Sequence, residues 1–401
     1  MIMSKNQQEF PRWVMQQMNN RERCMVLTGY AGTGKTTTMR HLGMSMPESE
    51  EESLMWCCPT HEAKNILQGK IGQESNVLTI ASALGMGNAF VNGEMKFVPG
   101  VWKNKINEAS PQLLVVDEAS MVSKEQLDLL LDTTATHILF VGDPAQLPPV
   151  HEPYSQVFRM DWPTYELTEI FRQGKDSPII EAAYDCRDSG EDSTKEWGIE
   201  TLIVNQDTIL DFFARFPEGV ALCPTKDQKY WINRVVRGGD MDVKKGDMLF
   251  LESPVCPPNG PTNGERVRVV SDPERTTYRG INVFRFKINT GHEMMMPVDD
   301  HEGKVLIAKL SELATLYKRK PDEKIKREVE LLNYGITFAS FGAAMTVHKS
   351  QGSTFGEVLL CTQGLSNWKD KEKSHLKLIY TGMTRASHTL IIGRSERPAA
   401  T

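Results

Sequence analysis

The sequence predicts an α/β protein built on doubly wound parallel sheets. Three observations carry this. The first half alternates short apolar runs with helix-like segments. A second alternating block appears farther along, in two pieces. Between the first strand and the first helix of the alternation lies GYAGTGKTT (29–37), a glycine-rich loop of the kind that wraps phosphate.

The strands of the first half are MVLTG (25–29), LMWCCPT (54–60), LLVVDE (113–118) and HILFVGD (137–143). Each is short, apolar throughout and ends at a polar or Gly-rich loop, as buried parallel strands do. Helices are expected over TTTMRHLGMSM (36–46) and SKEQLDLLLDT (123–133). In the second, Ser123 is the N-cap, Gln126 completes a capping box, and leucines follow at helical spacing. The acidic run ESEEES (48–53) is expected to be a solvated loop. The second block comprises TLIVN and GVALCPT within 200–225, then GITFASFGAAMTV, EVLLCTQ and TLIIGR within 335–394. Between them, 238–334 is rich in Gly and Pro, with short β-like runs DMLFLES, GERVRVVSD and INVFRFKIN. A charged helical piece near KRKPDEKIKREVELL follows, its mixed charges reading as a solvated face. NAFVNGEMKFV (88–98) is a hairpin signal, with Asn92-Gly93 as a type I′ turn.

Composition limits the function classes. The chain has 401 residues, 40% hydrophobic and 24% charged, which suits an ordinary soluble protein. At roughly 100–200 residues per domain, that length holds two to four domains. With 46 Lys+Arg against 52 Asp+Glu the net charge is −6, which excludes coating nucleic acid by bulk positive charge. Any nucleic-acid grip must use a local basic channel. The start, MIMSKNQQEF, lacks the apolar core of a secretory signal, and no apolar run nears the roughly 20 residues of a membrane helix. Seven scattered cysteines without a CxxC pair point to reduced thiols rather than a zinc site or disulfide framework. A cytoplasmic protein with no membrane partner is expected.

The loop at 29–37 fits G-x-x-x-x-G-K-[ST] with Gly29, Gly34, Lys35 and Thr36, between a strand and a helix. Glycines let backbone N–H groups curl around phosphate oxygens, and the helix start adds partial positive charge. Lys35 would reach the β- and γ-phosphates and Thr36 would ligate Mg²⁺. ATP and Mg²⁺ are therefore the expected ligands. Asp117 and Glu118 end a strand; beside such a loop, Asp117 would hold Mg²⁺ through its water shell and Glu118 would be the general base. A DE pair by itself is as often a surface cap.

Read together, the motifs resemble those of superfamily 1 helicases, in that family's order and over nearly the whole chain. FVGDPAQLPPV (140–150) resembles motif III, with Gln146 as the γ-phosphate sensor. TEIFRQ (168–173) resembles the motif IV region, with Arg172 as an arginine finger. TVHKSQGSTF (346–355) resembles motif V, and YTGMTRAS (380–387) resembles motif VI with Arg385 as the second finger. CPTHEAKNIL (58–67) and TIASALG (79–85) resemble motifs Ia and Ib. The nucleotide-binding set implied is Gln7, Gly29, Gly32, Thr33, Gly34, Lys35, Thr36, Thr37 and Gly352. Gln7 and Gln8 are both candidates for the adenine-reading glutamine, and spacing favours Gln7. Tyr30 departs from the small residue or proline usual at its position; a place near the nucleotide, in the core or at the surface all fit.

The short segment after TIASALG and the β-rich second insertion resemble the Dda-type and RecD-type branch, superfamily 1B. The resemblance implies two RecA-like P-loop motor domains. The first spans 1–165 and contains a pin insertion over 86–105. The second spans 166–237 and 335–401, around an SH3-like insertion over 238–334. It also implies 5′→3′ movement, which neither spacing nor composition reveals. Phe90 and Phe97 are candidate wedge aromatics, with packing against the domain as the alternative. Backbone contacts to DNA are expected from Thr60, His61, Lys64, Thr79, Thr225, Lys226, Thr346, His348, Lys349 and Ser350, since hydroxyls and amines at strand ends hold phosphates without reading sequence. His61 and His348 as metal ligands is the alternative, with no partner cluster behind it. The implied function is an ATP-dependent DNA helicase acting on single-stranded and forked or tailed duplex DNA. The resemblance further implies single-strand-binding and replication or recombination proteins as company, action as a monomer, and a bacterial or phage-infected cytoplasm. An RNA helicase of the same superfamily and a P-loop switch without unwinding are the competing readings.

Overall fold

Six strands form the first sheet, in the order Val77–Thr79, Leu54–Cys58, Leu113–Val116, His137–Gly142, Cys24–Gly29, Thr164–Leu167, and every pairing is parallel. The computed structural model describes residues 3–46, 54–72, 77–91, 94–169, 177–189, 196–252, 260–261, 264–320, 322–363, 365 and 374–394. Helices Lys5–Asn19, Lys35–Ser45 and His61–Ile71 cover this sheet. Leu113–Val116 and His137–Gly142 are buried along their whole length, which is why they read as unbroken apolar runs. Their core partners include Phe10, Val14, Met39, Leu42 and Trp56. The capping box at Ser123 and Gln126 is present, starting the helix Lys124–Leu131.

A second sheet follows the order Ala344–Thr346, Val220–Cys223, Phe355–Cys361, Ala386–Arg394, Glu200–Ile203. The pairings of the last four strands are parallel. Doubly wound α/β architecture is thus the fold. The first sheet runs on to Leu167, past the boundary expected at 165, because Thr164–Leu167 pairs with Val26–Gly29.

The chain separates into two compact units. One holds Met1–Gly85, Lys103–Lys229 and Met345–Thr401; the other holds Met86–Trp102 and Tyr230–Ala344. Both large sheets lie in the first unit. The second unit has two antiparallel three-stranded sheets, Arg266–Arg268 with Met248–Leu251 and Ala339–Phe341, and Glu274–Tyr278 with Ile281–Lys287 and Glu293–Pro297. It also takes in the hairpin Gly87–Val91 and Glu94–Val98, which sequence position alone would have left with the first sheet. Val91 pairs with Glu94, so two residues close the hairpin; that turn, Asn92-Gly93, lies outside the described residues, as does the acidic run at 48–53.

Two differences from the sequence reading stand out in this unit. The helical piece expected near 318–332 is two helices, Asp300–Arg319 and Glu323–Gly335. The first is 20 residues long and was hidden by its many charges. Its apolar positions Leu306, Leu310 and Leu313 follow helical spacing and pack over Ile281 and Val283. Lys320, which precedes a proline in sequence, is extended, and the Asp322 carboxylate caps the next helix by accepting from Lys324 N–H. Also, the apolar run 335–347 serves two sheets. Ala339–Phe341 pairs antiparallel with Met248–Leu251, whereas Ala344–Thr346 joins the large sheet beside Val220–Cys223. Gly342 makes the change of sheet: a Cβ there would sit 3.0 Å from Met248 O.

Among the described residues, no helix is long and apolar enough to cross a membrane. The six described cysteines are free and buried. Burial alone pushes Cys57 up to about 12 and is the main cause pushing Cys24 up to about 11, so these thiols stay protonated and unreactive.

Candidate nucleotide site

Three neighbouring strands of the first sheet, Leu113–Val116, His137–Gly142 and Cys24–Gly29, end side by side. Ligands of open α/β sheets bind outside such carboxyl ends. Here those ends deliver Asp117 and Glu118, then Asp143 and Gln146, then the loop 29–37.

The loop has the backbone it requires. Gly32 and Gly34 have φ of +92° and +82°, in the left-handed region. At Gly34 a Cβ would also fall 2.3 Å from Gln7 Nε2. At Gly29 a Cβ would stand 2.5 Å from Thr33 Oγ1. Thr33 turns inward, its hydroxyl donating to Tyr30 O at 2.9 Å. Lys35 begins the helix, and its Nζ donates to Gly29 O at 2.6 Å and Tyr30 O at 3.2 Å. Thr36 and Thr37, half-buried, follow in that first turn.

Gln7, not Gln8, meets the loop. Gln7 is buried; its Nε2 donates to Thr33 O at 3.1 Å, and its Oε1 accepts from Ser4 N–H at 3.1 Å in a capping box. Gln8 is exposed and donates to Met3 O. The Nε2 end of the Gln7 amide thus holds the N-terminal helix against the loop, while its Oε1 end closes that helix's own cap.

Glu118 has φ +51°, a conformation costly for a residue with a Cβ. That turn directs the chain into the short helix Ala119–Met121 and lets Glu118 N–H donate to Asp117 Oδ1 at 2.9 Å. Desolvation, with Glu118 alongside, holds the Asp117 carboxyl well above the usual carboxylate range, and Lys35 opposes this. Glu118 Oε2 and Gln146 Oε1 are buried without a hydrogen-bond partner. Buried oxygens of this kind are costly unless something meets them. Acceptor oxygens beside a Lys35 ammonium and a Thr36 hydroxyl suit a hydrated divalent cation carrying phosphate, so the donor set fits Mg²⁺ and ATP.

Motifs from the second sheet reach the same place. Leu147 N–H donates to Thr381 Oγ1 at 3.0 Å, and Leu147 O accepts from Gln351 Nε2 at 3.0 Å. Gly352, with φ +83°, has room for no Cβ, since Ala63 Cβ would lie 3.1 Å away. Arg385 is buried and held by its own motif and by motif V. Its Nη1 donates to Ser353 O, its Nε to Thr381 O and its Nη2 to Thr384 Oγ1. These bonds tie motif VI to motif V through Arg385. Arg172 lies outside the described residues.

The candidate DNA contacts divide by exposure. Lys226 and Thr225 are exposed, and His61, Lys64, Thr346, His348 and Lys349 are half-buried. Thr60 Oγ1 caps its helix by accepting from Ala63 N–H, and Thr346 Oγ1 accepts from Lys349 N–H. Two candidates are buried. Ser350 is fully buried, its hydroxyl donating to Val347 O at 2.8 Å, and Thr79 is buried as the cap that accepts from Ser82 N–H. Both hydroxyls support backbone turns. Desolvation lowers the His348 imidazole, favouring its neutral form. Phe97 is 52% exposed, and the Phe90 side chain lies outside what is described.

Three side chains at this site had escaped the sequence reading: Tyr184, Tyr380 and Asp143. Tyr184 O–H donates to Ala31 O at 2.6 Å, and Ala31 N–H donates to Tyr380 Oη at 3.1 Å. Tyr380 O–H in turn donates to Asp143 Oδ2 at 2.7 Å. Tyr380 and Asp143 stood inside motifs already marked, so motif membership was the available signal. Tyr30 lies under Arg187, whose guanidinium carbon is 3.7 Å from the ring centroid.

Comparison with known proteins agrees with this arrangement. The AAA domain family matches residues 3–201, and the UvrD-like helicase C-terminal domain family matches 341–392. The ATP-dependent RecD2 DNA helicase of Deinococcus radiodurans is 28% identical over 377 residues, covering 91% of this chain and 46% of the relative. The ATP-dependent DNA helicase dda of enterobacteria phage T4 is 25% identical over 270 residues, covering 60% of this chain and 59% of the relative. The chain thus spans about half the length of these curated relatives. Among solved structures, Bacteroides Pif1 bound to ssDNA aligns with a TM-score of 0.57 at 17% identity, over 98% of this chain and 92% of that one. A Pif1 structure concerned with DNA unwinding at forked dsDNA aligns at 0.59, with the same identity and coverage. At that identity the likeness is one of fold.

Proposed function

We propose that the chain is a superfamily 1B helicase, in keeping with its motif order, its sequence relatives and its fold, and that it is an ATP-dependent DNA helicase moving 5′→3′ on single-stranded DNA. The observation that carries this is the double grip on Leu147. A nucleotide-side strand end is joined through one residue's main chain to motifs V and VI, so a change at Gln146 is felt in both. A P-loop switch without unwinding has no need of that linkage.

In this reading Lys35 and the loop N–H groups hold the phosphates, and Thr36 and Asp117 would hold Mg²⁺, which when bound would neutralise charge on the phosphates. Glu118 Oε2, buried and without a partner, takes the proton of the attacking water. Arg172 and Arg385 are the candidate fingers, and Arg385 must exchange its bonds to Ser353 and Thr381 to act as one. Thr60, His61, Lys64, Thr225, Lys226, Thr346, His348 and Lys349 carry the backbone contacts. The hairpin over 86–105 is the pin, with Phe90 and Phe97 as wedge aromatics, and 238–334 is the SH3-like insertion. The substrates are single-stranded and tailed or forked DNA, in a bacterial or phage-infected cytoplasm.

Strand displacement on duplexes with a 5′ or a 3′ tail tests the proposal, with Lys35→Ala as the inactive control. Displacement from the 5′ tail is expected. Preference for the 3′ tail refutes the polarity, and ATPase activity indifferent to single-stranded DNA refutes the motor. Equal activity on tailed RNA would favour the RNA reading.

A further inference from the structure

The phosphate loop is gripped by two tyrosines from outside the first sheet. Its Ala31 peptide is engaged at both ends, with the carbonyl accepting from Tyr184 on the helix Pro178–Ser189 and the N–H donating to Tyr380 on the helix Ser374–Met383. The adjoining Tyr30 ring meets the Tyr184 ring edge-on at 6.0 Å and carries the Arg187 guanidinium on its face. Arg187 is itself fixed by Asp188. The loop is therefore clasped at two consecutive residues by side chains of one helix, while a second helix reaches Ala31 from motif VI.

Tyr380 does more than hold the loop. It is fully buried, and its oxygen accepts from the loop while its proton goes to Asp143, also fully buried. Asp143 Oδ1 accepts from Ala145 N–H at 2.9 Å, and Asp143 Oδ2 faces Gln146 Nε2 at 3.5 Å. Burial, together with Asp143, holds the Tyr380 phenol well above its ordinary value, so it remains a donor across the working range of pH. The Ala31 N–H can only donate to the hydroxyl, so the phenol proton is the one that goes to Asp143; removing the hydroxyl takes the partner from that N–H and the shorter of two donors from Asp143 Oδ2.

We propose that Tyr184 and Tyr380 are positioning residues that clasp the Ala31 peptide of the phosphate loop, and that Tyr380 relays the position of that peptide through Asp143 to Gln146. The proposal rests on the nucleotide-site reading above and gives roles to residues that the motif reading left without one. Tyr184 shapes the loop for bound nucleotide and transition state alike, so its loss weakens binding evenly. Tyr380 connects the loop to the side chain read as the γ-phosphate sensor, so its loss falls on the chemical step.

The test is a double-mutant cycle in the full chain, reading ATP hydrolysis without DNA and the binding of a fluorescent ATP analogue. Tyr380→Phe and Asp143→Asn should each lower kcat roughly tenfold, equivalent to about 1.4 kcal/mol. KM for ATP should stay within about twofold, and the double variant should be no worse than the poorer single variant, as for two residues acting through one bond. Tyr184→Phe should instead raise KM and the analogue Kd roughly fivefold, with kcat within about twofold, as uniform binding loss requires. Losses that multiply in the double variant overturn the relay, as does a kcat unchanged in Tyr380→Phe; a fall of kcat in Tyr184→Phe overturns the division of roles. If Tyr380→Phe melts before assay, the Tyr184→Phe and Asp143→Asn arms still decide, since they must split KM from kcat in opposite ways. The cycle needs no DNA. Absent stimulation of the parent by single-stranded DNA therefore refutes the motor while the cycle still reads the relay, and a multiplying cycle in a DNA-stimulated parent refutes the relay alone.

Discussion

The nucleotide end of the first unit and the small sheets of the second bury different things. At the nucleotide end the interior is polar: Asp143, Gln146, Tyr380, Thr381 and Arg385 all lie below the surface, each with a directed hydrogen bond. In the second unit the interior is built on Leu249, Val267, Phe284 and Phe286; one ion pair, Arg237 with Asp247, is largely buried, while others, as Arg275 with Asp242 and Arg285 with Glu293, lie at the surface. A polar interior is expensive unless every group is met, and in return it fixes geometry. An apolar interior is forgiving about direction and supplies stability. Stability and function should therefore separate between the two regions when each is damaged.

The largest effect belongs to the apolar interior. Phe286→Ala should cost about 3–5 kcal/mol in a denaturant melt and leave nucleotide affinity of the folded protein unchanged. A fall in affinity as large as the fall in stability would break the separation. The converse is Gly34→Ala. The left-handed backbone charges about 1–2 kcal/mol for a Cβ. That Cβ also displaces Gln7 from the loop, so the binding free energy of the analogue should weaken at least as much as the unfolding free energy falls.

A smaller effect concerns His348. Desolvation lowers its folded pKa below the ordinary 6.5, so the fold favours the neutral ring. Its contribution is fully present above about pH 6.5 and is lost as the pH falls through the depressed value. Melts from pH 8 to pH 5 should show this decline in the parent and a shallower one in His348→Asn. Equal slopes would assign the acid sensitivity to other groups. Smallest of all is Arg275→Ala. It breaks an exposed pair with Asp242 and should change stability by less than about 0.5 kcal/mol. A larger loss would mean that surface charge stabilises the second unit more than its apolar interior suggests.

Local chemistry was legible wherever it is written in consecutive residues. The P-loop glycines announce their backbone, because only glycine accepts φ near +82° without strain. The four apolar strands and the Ser123 capping box were equally plain. The Ser4 and Gln7 capping box carried the same signature and was overlooked because Gln7 had been read for the nucleotide. The helix Asp300–Arg319 was missed because its apolar stripe is narrow against its charges.

By itself the sequence determined the α/β class, the phosphate loop, the Asp117-Glu118 pair and each motif, since each is written in residues within about ten positions of one another, and the motif order can be read directly along the chain. Only the tertiary structure decided the rest. It divided the run 335–347 between two sheets, put the hairpin with the second unit, turned Ser350 and Thr79 inward, and brought Ala31, Asp143, Tyr184 and Tyr380 together. Those outcomes join positions as many as 349 residues apart, where no local period or propensity acts and only packing and hydrogen-bond satisfaction choose the partner.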